Sequence, residues 1–243
     1  MFKAHYIIAF TTLFLFFSCN GNNAGQQAEQ IKAIQLNPAT DSLKTINTLD
    51  INRKRALSKM VIKYKPIIKK YAKRYGFDWR LIVAQIVQES GFKEKARSRV
   101  GAKGLMQIMP GTAKEIGREL EFEYIMKRPR ENITAGIYHL YKQYRLFPEA
   151  KHEERLKLSL ASYNCGAGHV FDAQKIAEYY RRPSNYWTEV RPYLAMLKKT
   201  DWQLHLQVWP TGKPQYGYFY GYNETIKYVD NIWEMYLSYK KFL

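Results

Sequence analysis

Glu89 is the residue of this chain best placed for acid–base chemistry. It stands in the segment FDWRLIVAQIVQESGFKEKARSRVGAKGLMQIMP, Phe77 to Pro110. Before it, Leu81, Ile82, Val83, Ala84, Ile86 and Val87 leave almost no polar face, the pattern of a helix enclosed by protein. Glu89 falls three residues after Ile86 and seven after Ile82, on the side of both. Desolvation and the negative end of the helix dipole both disfavour its charged form, so its pKa is expected to rise. A carboxyl still protonated near neutral pH can act as a general acid. Taken by itself, the residue also fits an ordinary solvated helix end. Cys165 is the other reactive side chain of the body of the sequence. As a nucleophile it needs a base, and His169 is the sole nearby candidate. A small buried residue is the expected role.

Three motifs follow one another along the chain. They are Glu89-Ser90-Gly91-Phe92; then Ser98 with Gly101-Ala102-Lys103-Gly104-Leu105-Met106-Gln107-Ile108-Met109-Pro110; then Ala161-Ser162-Tyr163-Asn164-Cys165-Gly166. In order and spacing they resemble the soluble lytic transglycosylase (SLT) domain family, from about Tyr64 to Tyr239, with Ala173-Gln174-Lys175 and Tyr228-Val229 included. Within that family the sequence is most similar to the C-terminal catalytic domain of membrane-bound lytic murein transglycosylase F. Too few residues precede the match for that family's N-terminal solute-binding domain, so none is expected. Two positions depart from the pattern. Cys165 stands where the family usually has a small non-thiol residue, and Phe219-Tyr220-Gly221-Tyr222 where it often has an Arg-Gly pair.

The resemblance implies a mainly α, lysozyme-like (goose-type/SLT) domain with a substrate groove, and a peptidoglycan lytic transglycosylase with Glu89 as its single acid/base. The acid protonates the β-1,4 oxygen between N-acetylmuramic acid and N-acetylglucosamine. As a carboxylate it then takes the proton of the C6 hydroxyl, which closes onto C1 and leaves a 1,6-anhydro end without consuming water. Ordinary glycosidases use two carboxyls. Here no second one is obvious, since Glu94 lies in a basic loop, Glu115 is assigned to a helix cap and Glu224 lies far along the chain. By the same resemblance Ser90, Ser98, Met106, Gln107, Tyr163, Asn164 and Tyr228 line the groove. Gln107 and Asn164 have the donors and acceptors to hold acetamido groups, and Met106 offers apolar contact. No metal and no cofactor are expected. Two other readings are a hydrolytic muramidase that uses the same acid with water, and a cell-wall-binding lipoprotein without turnover.

The elements that must position these residues are helices. Asp78 is a good N-cap, Phe77 and Ile82 form a hydrophobic staple, and Gly91 supplies a stop. Upstream, Leu57, Met60, Val61, Tyr64, Ile67, Ile68, Tyr71 and Tyr75 mark one face of a helical region that Pro66 kinks or divides. Downstream, a loop turns on Gly101 and Gly104, and Thr112 with Glu115 reads as a capping box. Ile133, Ile137, Leu140, Tyr141 and Tyr144 repeat at helical spacing. A helix from Glu153 delivers Tyr163 and Asn164 at its end. Val170, Ala173, Ile176, Ala177 and Tyr180 form another stripe, broken by Pro183. Trp209 to Tyr222 reads as irregular or briefly extended, and Val229, Ile232, Trp233, Tyr236 and Tyr239 close the chain as a helix. No βαβ alternation, repeat, metal-ligand cluster or phosphate loop occurs.

Composition agrees with a wall-directed protein. The 243 residues, 46% hydrophobic and 15% aromatic, suffice for one sizeable core. The 20 tyrosines combine flat apolar faces with polar tips, which suits sugars. A formal charge of +18 calls for an anionic partner. The cations are dispersed and no nucleic-acid-binding signature accompanies them, so nucleic acid is excluded and peptidoglycan glycan strands or an acidic membrane face are preferred. Lys3 and the apolar run Tyr6 to Phe17, too short to span a bilayer, read as a signal peptide over 1–18. Phe16-Phe17-Ser18-Cys19 resembles a lipobox with Cys19 lipidated; simple secretion is the alternative. Cleavage there removes only Lys3 of the charged residues and leaves Cys165 the one free thiol. Residues 19–50 read as a flexible tether and 51–243 as the catalytic domain. The expectation is a monomer in the bacterial cell envelope, lipid-anchored to the outer membrane and facing the periplasm.

Overall fold

The computed structural model describes residues 58–243. The expected signal peptide, tether and lipidated Cys19 lie outside the described residues. Helix α1 covers 58–75, α2 Trp79–Ser90, α3 Pro110–Leu120, α4 Pro129–Arg145, α5 His152–Cys165 and α6 Ala167–Tyr179. After them come the one-turn α7 (Trp187–Val190), two 3-10 turns (Arg191–Met196 and Lys199–Asp201), α8 (Trp202–Val208) and the long α9 (Tyr222–Phe242). Among the described residues there is no β-strand, only two isolated antiparallel bridges, Arg97 with Lys103 and Lys103 with Ile108. The mainly α class is therefore as expected.

Helix α2 is the central element, and its local signals work as read. Asp78 Oδ1 accepts the Arg80 N–H at 3.0 Å, and Phe77 and Ile82 are both buried. Gly91 sits at φ 55°, its N–H bonded to Val87 O at 2.9 Å, a left-handed stop that glycine adopts without steric penalty. Leu81, Ile82, Val83, Ala84, Gln85 and Ile86 are buried in succession. Each large apolar side chain among them stabilises the fold by roughly 1.5–3 kcal/mol. Helix α9 lies along α2 and also packs on α5, burying Tyr228, Val229, Ile232 and Tyr236; α5 in turn packs on α4 and α6. Tyr236 Oη donates to Asp78 Oδ2 at 3.3 Å, tying the start of α2 to the last helix.

Several local readings are corrected. Thr112 and Glu115 form no capping box. Helix α3 begins three residues earlier than such a cap would start it, with Met109 as N-cap and Pro110 at its first position, where proline's missing N–H is no loss, and no side chain caps it. Glu115 instead pairs with Lys142. Helix α1 continues through Pro66 without a break. On α1 Met60 is exposed, whereas Val61, Tyr64, Ile68 and Ala72 are buried. Helix α6 stops before Pro183, turned aside at Arg181, which has φ 56°.

Candidate active site

Glu89 occupies the last turn of α2, partly exposed, with its carboxyl among buried groups. Tyr228 Oη, from α9, donates to Glu89 Oε1 at 2.6 Å, and itself accepts from Gln85 Nε2 at 3.1 Å. Gln85 stands one helical turn before Glu89, so α2 supplies both ends of this relay. Burial pushes the Glu89 pKa up to about 7, outweighing the Tyr228 hydrogen bond, which acts in the opposite direction. No acidic neighbour contributes to the shift. Tyr228 and Tyr163 are themselves held well above the usual tyrosine range by burial, with the Glu89 charge adding to it, so both hydroxyls keep their protons.

The loop between α2 and α3 joins Ser90 and Tyr163 through its backbone carbonyls. Tyr163, in the last turn of α5, donates to Met106 O at 2.8 Å. Ser90 Oγ reaches Ile86 O at 3.2 Å and Leu105 O at 2.9 Å, clasping the loop to the end of α2. Gln107 sits at φ 44° with Nε2 donating to Gly104 O at 2.8 Å, which leaves its Oε1 for a ligand. Asn164 Oδ1 accepts from Thr225 at 2.8 Å. Ser98 Oγ accepts from Ala102 N at 3.0 Å; it shapes its own loop and bonds to no other residue of the set. Met106 needs a correction. Its side chain is fully buried on α4 and cannot offer the apolar ligand contact expected of it; its carbonyl, as acceptor for Tyr163, is the part that serves the site.

Sequence reasoning passed over the residues that hold these in place. Asn132, buried on α4, accepts from Met106 N at 2.8 Å and donates to Lys103 O and Ile125 O, each at 3.0 Å. Gly104, at φ 83°, lies so close that a Cβ there would stand 2.5 Å from the Asn132 amide. His139 packs its ring against Tyr163 at 4.8 Å and is kept neutral by burial, its pKa pushed down to about 4. The available signal was polarity out of place: Gln85 in an apolar run, and Asn132 beside Ile133.

Residues 66–185 match the family model of the transglycosylase SLT domain. The chain carries an SLT domain. Glu89, Ser90, the Gly104–Gln107 turn and Tyr163-Asn164 all fall inside that match, while Tyr228 reaches the site from beyond it. The chain is 38% identical over 171 residues to membrane-bound lytic murein transglycosylase F of Desulfosudis oleivorans, covering 70% of this chain and 35% of that protein. It is 35% identical over 179 residues to the protein of the same name from Shewanella pealeana, covering 73% and 34%. The chain thus spans about a third of the length of these curated relatives. A solved structure of lytic transglycosylase Slt from Pseudomonas aeruginosa aligns with a TM-score of 0.47 at 30% identity, over 73% of this chain and 24% of that one.

The surroundings of Cys165 oppose a nucleophilic role. Burial pushes Cys165 up to about 12, and His169 stacks on Phe219 at 4.5 Å. A thiol so protonated is a poor nucleophile.

Proposed function

We propose that this chain is a peptidoglycan lytic transglycosylase in which Glu89 serves as both acid and base. The observation that carries the proposal is Glu89, a partly exposed residue whose carboxyl is raised by burial to a pKa of about 7 and hydrogen-bonded by Tyr228. Because Tyr228 donates to Oε1, the proton of the neutral acid belongs on Oε2, free to be given to a glycosidic oxygen. Transfer to the β-1,4 oxygen between N-acetylmuramic acid and N-acetylglucosamine breaks the C1–O bond. The carboxylate left behind accepts the C6 hydroxyl proton as that oxygen bonds to C1. One proton leaves Glu89 and one returns, and the glycan ends in a 1,6-anhydro ring. The Tyr228 donor supports the transient carboxylate, a preorganised dipole where charge develops. Gln107 and Asn164 supply polar groups for acetamido substituents.

Envelope anchorage through a lipid on Cys19, in the outer membrane facing the periplasm, belongs to the same proposal. Among the described residues no helix is long and apolar enough to cross a membrane. Replacement of Cys19 by Ser then releases the protein from the membrane fraction, and retention there would refute the anchor. The activity is tested by mass spectrometry of products from purified sacculi. Anhydro ends formed without water uptake support the transglycosylase, whereas reducing ends would make the enzyme a hydrolase and the absence of products a binder.

A further inference from the structure

Six of the chain's cations line one concave region. A depression of about 560 Å³ is lined by Lys103, Lys114, Arg118 and Lys127 over an apolar floor that includes Phe122 and Ile125. A second, of about 300 Å³, is lined by Lys95, Arg97 and again Lys103 and Lys127. The two share Lys103, Met126 and Lys127 and so adjoin as one trough. Against six cations stand Glu94 and Glu123, and Glu94 is already engaged by Lys63 and Tyr64, each at 2.5 Å. None of the six cations has a carboxylate partner within ion-pair distance among the described residues. Two other depressions carry no cationic excess: Lys157 and Arg191 face Asp230 and Glu234 in one, and Arg74 faces both Glu119 and Glu121 in the other. Like charges crowded into a concavity repel one another and focus a positive potential that an anion would relieve.

The trough is lined in part by the loop between α2 and α3, the same loop that carries Met106 and Gln107. Arg97 bridges to Lys103 and Lys103 to Ile108, so three backbone segments run side by side, each about 5 Å from the next. Gln107 adjoins Ile108, and the two bridges set the Arg97 backbone about 10 Å across from the Ile108 segment, the reach of roughly three extended peptide residues. We propose that this trough binds the carboxylates of the stem peptides that the glycan strand carries, which rests on the function proposed above. Short peptides of small apolar residues and free carboxylates match an apolar floor with a cationic rim. A planar anionic membrane would instead meet cations on a convex face.

The test is titration calorimetry of the intact chain with four probes: a disaccharide-tetrapeptide muropeptide, the same disaccharide without its peptide, the muropeptide with its carboxylates amidated, and phosphatidylglycerol vesicles. At low salt the free-carboxylate muropeptide is expected to bind about tenfold more tightly than the peptide-free or amidated forms. That advantage should vanish in Lys114→Glu/Lys127→Glu, and at about 0.5 M salt. Lys114→Gln/Lys127→Gln should lose part of it, and serves if the charge-reversed protein melts early. Equal affinity for the three sugars overturns the proposal, as does a preference that survives in the variants. Vesicle binding lost in the variants without any muropeptide preference would overturn it too, assigning the trough to a membrane surface. Binding is read without turnover, so a chain that shows the preference yet forms no anhydro ends refutes the activity alone. One that forms them without the preference refutes the trough alone.

Discussion

Tyr228 and Glu89 stand 139 residues apart in sequence and 2.6 Å apart in space, joined by a hydrogen bond from α9 to the end of α2. The bond favours the carboxylate, opposing the burial that favours the acid. Tyr228→Phe should therefore raise the Glu89 pKa further and move the alkaline limb of the pH–rate profile upward, while lowering the maximal rate because the developing carboxylate loses its donor. It also strands the Gln85 amide, whose Oε1 already lacks a partner, at a cost of about 1–3 kcal/mol in stability. Activity measured from pH 5 to 9 beside a urea melt separates the two effects; an unmoved alkaline limb would show that the bond does not tune the acid.

Glu89→Gln is expected to remove activity by at least about a hundredfold, since the amide keeps the shape and loses the proton. The same change should stabilise the fold, and only at high pH. A carboxyl whose pKa rises from 4.5 unfolded to about 7 folded imposes no penalty below pH 4.5, an increasing one between those values, and a full one above pH 7. That penalty is on the order of 3 kcal/mol. The glutamine has none, and its Oε1 still accepts from Tyr228. Melting temperatures should coincide near pH 4 and diverge in favour of the variant by pH 8.5. A variant no more stable than the parent at pH 8.5 would mean that Glu89 is well solvated as an anion. The general acid itself should fail as pH rises through about 7, so the parent enzyme loses rate on the alkaline side.

How far the sequence revealed all this depended on the range of the interaction. Asp78, the Phe77–Ile82 staple and Gly91 act within a few residues, so the limits of α2 and the place of Glu89 could be read directly. The enclosure of α2 was legible because apolar side chains surround it on every face. The Thr112–Glu115 box failed because Pro110 starts the helix three residues early, so the two side chains fall inside the first turns instead of flanking them. The polar partners of the site were illegible for another reason. Asn132 meets Met106 across 26 residues, Thr225 meets Asn164 across 61 and Gln85 meets Tyr228 across 143, and no local spacing encodes such pairs. Met106 was misread because an apolar residue in a motif looks the same whether its side chain faces ligand or core.

Asn132 should be among the most sensitive positions away from Glu89. Its side chain makes three hydrogen bonds to the backbone of the loop regions around it, two buried and the one to Lys103 O partly buried. Asn132→Ala leaves the Met106 N–H and two carbonyls unpaired, a loss of about 2–4 kcal/mol. Asn132→Asp keeps the acceptor for Met106 N but replaces the donor with an oxygen facing the Lys103 and Ile125 carbonyls, and should be worse than alanine at neutral pH. Denaturant melts of the two variants check the order, and alanine proving the more harmful would mean that the two carbonyls find water readily.

Gly136 and Gly111 offer opposite outcomes from the same substitution. Both lie in helices, and alanine in a helix interior is favoured over glycine by about 1 kcal/mol. At Gly111, near the start of α3, an added Cβ meets nothing within 4 Å, so Gly111→Ala should be neutral or slightly stabilising. At Gly136 the Cβ would fall 2.5 Å from both Cβ and Cγ of Met106, atoms too near the backbone to swing aside. Overpacking of that kind costs typically about 1–3 kcal/mol, which outweighs the gain in helix propensity. Relief requires the loop to back away from α4, carrying the Met106 carbonyl from Tyr163. Gly136→Ala should thus lower both the melting temperature and the rate on sacculi, while Gly111→Ala lowers neither. Full activity in Gly136→Ala would show that the loop can shift without disturbing the acid, and that the close contact of α4 with Met106 serves stability alone.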